Sequence, residues 1–582
     1  MSQITPPAGA PPAPEVAGDE ERPLAPSRAG DEERPDEARP DEEGLLAPTA
    51  AIDPAVDAAA RTAPESAELL APATADEPEE AVAESAAYAE ALAAETDDAA
   101  RHADTDRSLV SGVAWTGGVK LMAQLLTWVS TFVVARHLSH EDYGLVGYAT
   151  MYMALVTLLS EFGIGSAVIV LRRLTRDQVA QINTLAVLFG VGGFVISCLM
   201  AVPLARFFNA PLLPPVIVAM SGAFIVSSFR TVPQSLLQRD MRFKRLAVFE
   251  AANAVVVALA SVVLAVNGFG YWTLVAANLL GAALSTGMVL AQNRHPFAVP
   301  HLPTLTEALN FSKQLIVGRL SFFWLSQSDN LLAGKFLGQG ALGHYGFAYT
   351  LSMSVLEKTS GMVLRVTPAL FARVQDDPPA LRRYLLGLTQ GISFVTFPLT
   401  IGMALVANDF VLAVLGEQWR PMVRPLQLLA AYAAVRSLLP LCSQLLVATR
   451  KGAKRDARQA LLTAVVMPGA FFIGSHWGIT GIAAAWVLVH PFFARRLMNW
   501  ALQKVNLTFR DYFRSWWPAA SSAAIMTAAV VAADIALPAS VPPVAVLATK
   551  IGVGAVAYVA AVFVLHRQRV LAFRQLYRSI RK

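Results

Sequence analysis

The chain has 582 residues, 55% of them hydrophobic and only 15% charged, with a mean hydropathy of +0.47. So little charge cannot cover the surface of a soluble domain, so most of the length does not read as one. The formal net charge of +4 joins two unlike parts: residues 1–106 hold 27 Asp+Glu against 6 Arg, and the remainder holds 16 acids against 41 bases.

The acidic segment comes first. It is rich in Ala, Pro, Glu and Asp and carries the near-repeat Gly18-Asp-Glu-Glu-Arg-Pro23 and Gly30-Asp-Glu-Glu-Arg-Pro35. Its few apolar groups cannot offset the entropy of ordering, so residues 1–106 are expected to form a disordered cytoplasmic tail. No cationic start followed by an apolar run marks a signal peptide.

Fourteen apolar runs of bilayer-spanning length follow, at roughly 112–134, 144–163, 182–205, 212–231, 248–267, 270–291, 311–334, 343–366, 385–407, 423–447, 459–474, 478–498, 516–535 and 544–565. The seventh and eighth carry the most polar residues. Short turns such as Asn267-Gly-Phe-Gly-Tyr271 leave no room for a soluble domain between helices. Cys198 and Cys442 both lie in apolar runs and make no disulfide framework. Lys and Arg gather in alternate loops, among them Arg172, Arg173 and Arg176, then Arg239 to Arg245, then Arg450 to Arg458. The opposite loops hold little beyond Arg136, Arg206, Lys335 and Arg420. This bias predicts both termini in the cytoplasm and an even number of helices. A basic tail, 567–582, closes the chain.

The chain also repeats itself. At an offset of 199, Leu138, Gly144, Gly147 and Ala149 match Leu337, Gly343, Gly346 and Ala348. The same offset pairs Arg136 with Lys335 and Lys120 with Arg319. A looser match aligns Arg230 in the fourth run with Arg436 in the tenth. Six helices separate the copies, so the halves share one orientation, and parallel repeats of this kind place a substrate site between them. The expected architecture is all-α and polytopic. It has a six-helix bundle over 107–304, a second over 305–500 and two additional helices over 501–566.

A charge at helix depth costs about 2.5–3.5 kcal/mol on insertion scales and persists where it faces a wet cavity or a partner. Lys120, Arg230, Arg319, Lys358, Arg365 and Arg436 are the basic candidates, and a cationic cavity suits phosphate-linked or acidic sugars. Lys358 and Arg365 are seven residues apart, on one helix face. Asp329, Glu357 and Glu161 are the acidic candidates. The seventh run also carries Ser321, Ser326, Gln327, Ser328 and Asn330, which suit a hydrated sugar path. Gly387 and Gly391 form a small-xxx-small pattern expected to pack helices. His137-x-x-His140-Glu141 lacks the helical order of a metal site. No nucleotide-binding loop or nucleophile turn is present, and neither a cofactor, a metal nor nucleic acid is implied.

Several stretches resemble, in order and spacing, the Wzx-type polysaccharide flippases of the MOP (MATE-like) superfamily. They are Ala135–Gly144, Glu161–Ala167, Pro233–Lys244, Gly268–Thr273, Asp329–Tyr345, Gly416–Pro421 and Pro425–Leu429, within a resemblance covering 108–510. The resemblance implies two six-helix bundles around a central cavity in the bacterial inner membrane. It implies alternating access that moves a polyprenyl-pyrophosphate-linked oligosaccharide, with membrane lipids, glycosyltransferases and a polysaccharide polymerase as partners. It would give anion contacts to Lys120, Arg319 and Arg365 and ion exchange to Asp329 or Glu357. A MurJ-like lipid II flippase and a MATE-type antiporter are the near alternatives. A glycan polymerase or ligase is disfavoured, since the outer loop at 408–422 is short.

Overall fold

The computed structural model describes residues 122–160, 165, 168–169, 174–292, 296–301, 320, 323–448, 450–538 and 540–567. The acidic tail and the basic tail beyond Arg567 lie outside the described residues, as do the side chains of a few helical positions. The described structure is helical throughout.

In chain order the elements are α1 (122–137), α2 (His140–Ser160), α3 (Arg176–Phe208), α4 (Leu213–Arg239), α5 (Phe243–Val266) and α6 (Trp272–Gln292). Next come α7 (323–332, ending in a π turn at Ala333–Leu337), α8 (Gln339–Arg373) and α9 (Pro378–Phe410, with a π turn at Val411–Leu415). Then α10 is Val423–Arg436 with Leu439–Ala448, α11 is Arg450–Ser475, and α12 is Gly478–Leu488 with His490–Lys504. Finally α13 is Phe509–Ala536 and α14 is Pro543–Leu565.

Ten helices among the described residues are long and apolar enough to cross a membrane: α3 to α6 and α9 to α14. The runs at 144–163 and 343–366 form α2 and α8, helices of 21 and 35 residues that are not among the ten. Parts of the first and seventh runs lie outside the described residues. The chain is a multi-pass membrane protein. Its surface agrees with that, since Leu199, Val465, Ile535 and Val564 are each at least 69% exposed, an apolar belt that only lipid would cover without penalty.

The helices overrun their apolar runs because caps, not hydropathy, end them. Thr175 and Gln178 form a capping box that starts α3 six residues before its run, and Asn209 closes it in the left-handed region at φ 53°. Thr508 and Asp511 do the same for α13. Pro203, Pro233, Pro398 and Pro468 sit inside helices, where neighbouring groups in a bundle satisfy the freed carbonyls.

The helix pairs α3–α4, α4–α6, α9–α10, α9–α13 and α13–α14 pack side by side, and α2 packs on α8. Gly387 and Gly391 do not pack helices: a Cβ at either would meet nothing within 4 Å. The close approaches use other glycines, notably Gly474 against Gly481.

The last helices are pinned by a charge cluster that composition hides. Lys550 lies inside the apolar α14, is buried, and bonds Asp409 of α9 at 2.6 Å and also Asp534 of α13. Removing Lys550 leaves Asp409 mostly enclosed and Asp534 exposed to solvent, so the cost falls below the ~3–5 kcal/mol of breaking a fully buried pair. Lys550→Met is therefore expected to lower the melting midpoint of the purified protein by several degrees, and Asp409→Asn by less. An unchanged midpoint for Lys550→Met would mean the cluster carries no stability.

Candidate functional site: a polar cavity behind a two-fold junction

The repeated segments meet face to face. A Cβ at Gly144 would run into the Gln339 carbonyl, and a Cβ at Gly343 into the His140 carbonyl. Gln339 and Gly343 are the counterparts of His140 and Gly144 at the 199-residue offset, so this is one contact made twice about a local two-fold axis. Only glycine lets backbones approach so closely. Around it, the His140 and His344 rings stack at 4.3 Å, and Gln339 Nε2 donates to the Glu141 carbonyl at 2.9 Å.

Two cations extend the symmetry. Arg136 Nη1 reaches the Ala413 carbonyl at 3.4 Å, and Lys335 Nζ donates to the Phe207 carbonyl. Arg136 and Lys335 are repeat partners, Phe207 lies at the end of α3 and Ala413 in the π turn that ends α9. Each cation thus meets the carbonyl end of a helix from the other repeat, where the helix dipole favours positive charge. Trp419 is fully buried and donates through Nε1 to the Ala135 carbonyl at 2.9 Å.

Below the junction lies a cavity of ≈ 730 Å³ between α1, α2, α5 and α6 on one side and α7 and α8 on the other. Its polar walls include Ser130, Thr150, Asn253, Asn278, Gln327 and Asn330. It shares Thr150, Asn253 and Asn278 with a second cavity of ≈ 540 Å³, on whose wall Arg230 bonds Ser285 Oγ at 2.6 Å. Hydroxyls and amides donate and accept alike, as glycan hydroxyls do, and a guanidinium matches phosphate oxygens.

Behind the Asn330 wall sits a fully buried acid. Asp329 Oδ2 accepts from Tyr345 Oη at 2.8 Å and from Trp486 Nε1 at 3.0 Å, and Oδ1 accepts from the Asn330 amide at 2.8 Å. The Arg436 guanidinium lies 5.1 Å over the Trp486 ring and donates to Tyr349 Oη at 3.3 Å. Tyr432 stacks on Trp486 and bonds His490. Four helices, α7, α8, α10 and α12, thus converge on one carboxylate. The span containing α10 is the most enclosed of the ten, at 61% buried, which is why charge is tolerated there.

A family of polysaccharide biosynthesis proteins matches residues 133–424, half of the chain. The chain belongs to that family. Among curated relatives it is 24% identical to the lipopolysaccharide biosynthesis protein WzxC of Escherichia coli K12, over 70% of this chain and 84% of that protein. It is also 24% identical to the teichuronic acid biosynthesis protein TuaB of Bacillus subtilis 168, over 70% and 85%. Succinoglycan biosynthesis transport protein ExoT of Rhizobium meliloti 1021 is 25% identical over 66% and 78%. Among solved structures, lipid II flippase MurJ in its inward closed conformation superposes with a TM-score of 0.63 at 11% identity, covering 78% of this chain and all of that one. An inward-facing MATE family transporter of the MOP superfamily gives 0.55 at 15% identity, over 66% and 94%. This family member therefore shares the fold of those two solved structures.

Within it, the predicted residues separate. Arg230 lines a cavity. Arg436 and Asp329 do not line either polar cavity; both reach Trp486 behind the wall, Asp329 through a hydrogen bond and Arg436 over the ring face. Glu357 is exposed and lines neither cavity. Lys120, Arg319 and Glu161 lie outside the described residues, as do the side chains of Lys358 and Arg365. Of the polar run on α7, Gln327 and Asn330 line the cavity, whereas Ser326 and Ser328 bond their own helix.

Sequence reading missed Asn253 and Asn278, although a lone amide inside an apolar run is a signal of the same kind as a charge. It missed Lys550 for want of the same scan. The aromatic set Tyr345, Tyr349, Tyr432 and Trp486 carried no signal, since such residues are common in any core.

Proposed function

We propose that this chain is a flippase that moves a polyprenyl-pyrophosphate-linked oligosaccharide across the bacterial inner membrane, by alternating access, for cell-surface polysaccharide biosynthesis. The observation that carries the reading is a hydroxyl- and amide-lined cavity with Arg230 on its adjoining wall, set beneath a two-fold junction. The family membership and the transport relatives support it. The proposed frame is fourteen spans, with two parallel six-helix halves over 107–304 and 305–500, two more helices over 501–566, and both termini cytoplasmic. Lys120, Arg319, Lys358 and Arg365 join Arg230 as anion contacts in this proposal, with Arg436 holding the charge balance behind the wall. Asp329 is the coupling acid, with Glu357 and Glu161 as lesser candidates. Chemistry on covalent bonds has no part in it.

The test is reconstitution in vesicles with a lipid-linked oligosaccharide, reading how much glycan becomes inaccessible to an external lectin. Arg230→Gln is expected to slow transfer tenfold or more at unchanged protein level, since a hydrogen bond to a charged group is worth about 1.5–3 kcal/mol and about 1.4 kcal/mol is tenfold. Transport of an organic cation instead would establish the antiporter reading. Transfer of lipid II alone would establish the MurJ-like one.

A further inference from the structure

A third cavity differs in kind from the two polar ones. It is an apolar groove of ≈ 740 Å³ formed by α2, α3, α7 and α11, with Leu155, Phe207, Trp324, Leu461 and Val465 on its walls. Trp324, Leu461 and Val465 are 49%, 57% and 69% exposed, so the groove is open at its side. Along α7 it runs from Phe323 to Leu331, about 12 Å at 1.5 Å per residue. Ser328 in its wall bonds the Leu325 carbonyl of its own helix, which leaves the surface greasy there.

What sets this groove apart from any lipid-facing helix surface is its connection. Met151 and Gln327 line both the groove and the central polar cavity. An apolar trough and a glycan-compatible space therefore meet at two side chains. Gln327 Oε1 accepts from Asn330 Nδ2 at 3.4 Å, which leaves the Gln327 amide NH₂ as the donor end at the boundary.

We infer that the groove holds the polyisoprenoid chain of the lipid carrier while its glycan occupies the polar cavity. The inference rests on the flippase reading above. An amphiphile with an anionic linkage between an oily chain and a sugar fits only where those two environments adjoin. The linkage then falls beside Gln327, whose NH₂ donates to a phosphate oxygen, and Met151 adapts to the first chain carbons. Trp324 and Leu461 flank the chain from two different helices, so chain entry does not require the polar cavity to admit apolar surface.

The experiment places the photoreactive residue benzoylphenylalanine at Trp324, at Leu461 and, as a control, at Val559, a 51% exposed position of α14 outside the groove. The full-length protein is reconstituted in phospholipid vesicles containing a polyprenyl phosphate, irradiated and digested for mass analysis. Labelling of the polyprenyl chain from Trp324 and Leu461 at least tenfold above Val559 is the expected result. Equal labelling at the three positions, or labelling of phospholipid acyl chains alone, overturns the groove assignment. Unsubstituted protein is assayed for glycan transfer in vesicles of the same phospholipid that carry the lipid-linked oligosaccharide. Active transfer with even labelling rejects the groove and keeps the flippase reading, whereas absent transfer rejects both.

Discussion

Replacing Gly343 with alanine is expected to open the junction and to cut glycan transfer at least tenfold while the protein still inserts. The added Cβ has no room, because the atom in its path is the His140 backbone carbonyl rather than a side chain that can swing aside. Over-packing a well-filled site costs about 1–3 kcal/mol, and every 1.4 kcal/mol shifts a two-state population about tenfold. That cost falls on the closed arrangement alone, since the contact vanishes when α2 and α8 part, so the balance moves toward the open one. Gly144→Ala meets the Gln339 carbonyl in the two-fold-related contact and should act alike. The measurement uses a cysteine at Thr350, on the cavity wall, in a Cys198→Ser, Cys442→Ser background. A membrane-impermeant maleimide added from the junction side should label it several-fold faster in the alanine variants. Unaltered labelling in a well-folded variant would show that the junction is not the barrier.

Asp329→Asn should abolish most transfer, and the reason is a count of donors. The three groups around the carboxylate include the Trp486 indole N–H and the Asn330 backbone N–H, neither of which accepts a hydrogen bond. They lie on opposite oxygens. An asparagine amide must therefore turn its NH₂ toward one of them in either orientation. A buried unsatisfied donor costs about 1–3 kcal/mol, so a loss of tenfold or more is expected. Tyr345→Phe removes one donor and keeps the carboxylate, so its loss should be smaller. The pair separates architecture from coupling. If Asp329 exchanges an ion, residual transfer by Asp329→Asn loses its dependence on the ion gradient, while Tyr345→Phe keeps it. Gradient dependence retained in both would assign Asp329 a purely structural role.

Much of this protein is readable along the chain because the bilayer imposes a one-dimensional rule. A segment that crosses lipid must bond its own backbone and be apolar over about twenty residues, whatever its neighbours do. Ten of the fourteen runs read from hydropathy are long apolar helices, and two more are helices at the predicted places. The repeat was legible too, since Gly144 and Gly343 stand at one offset, but its meaning was not. Nothing in the sequence says that Gly343 lies on His140 rather than on lipid, and Gly387 and Gly391, equally suggestive on paper, pack against nothing.

The site shows the same division. A charge in an apolar run is visible to counting, which found Arg230, Asp329 and Arg436, and the count should have included Lys550. Whether such a charge faces a cavity or a partner depends on which helices stand beside it. Arg230 lies on a cavity wall, Asp329 is sealed by Tyr345 and Trp486, and Lys550 is clasped by acids on two other helices. The sequence by itself determined the membrane helices, because self-bonding and hydropathy are properties of a single segment. The tertiary structure alone decided the junction, the cavities and the buried carboxylate's partners, because those are contacts between residues up to 284 positions apart whose pairing no local rule specifies.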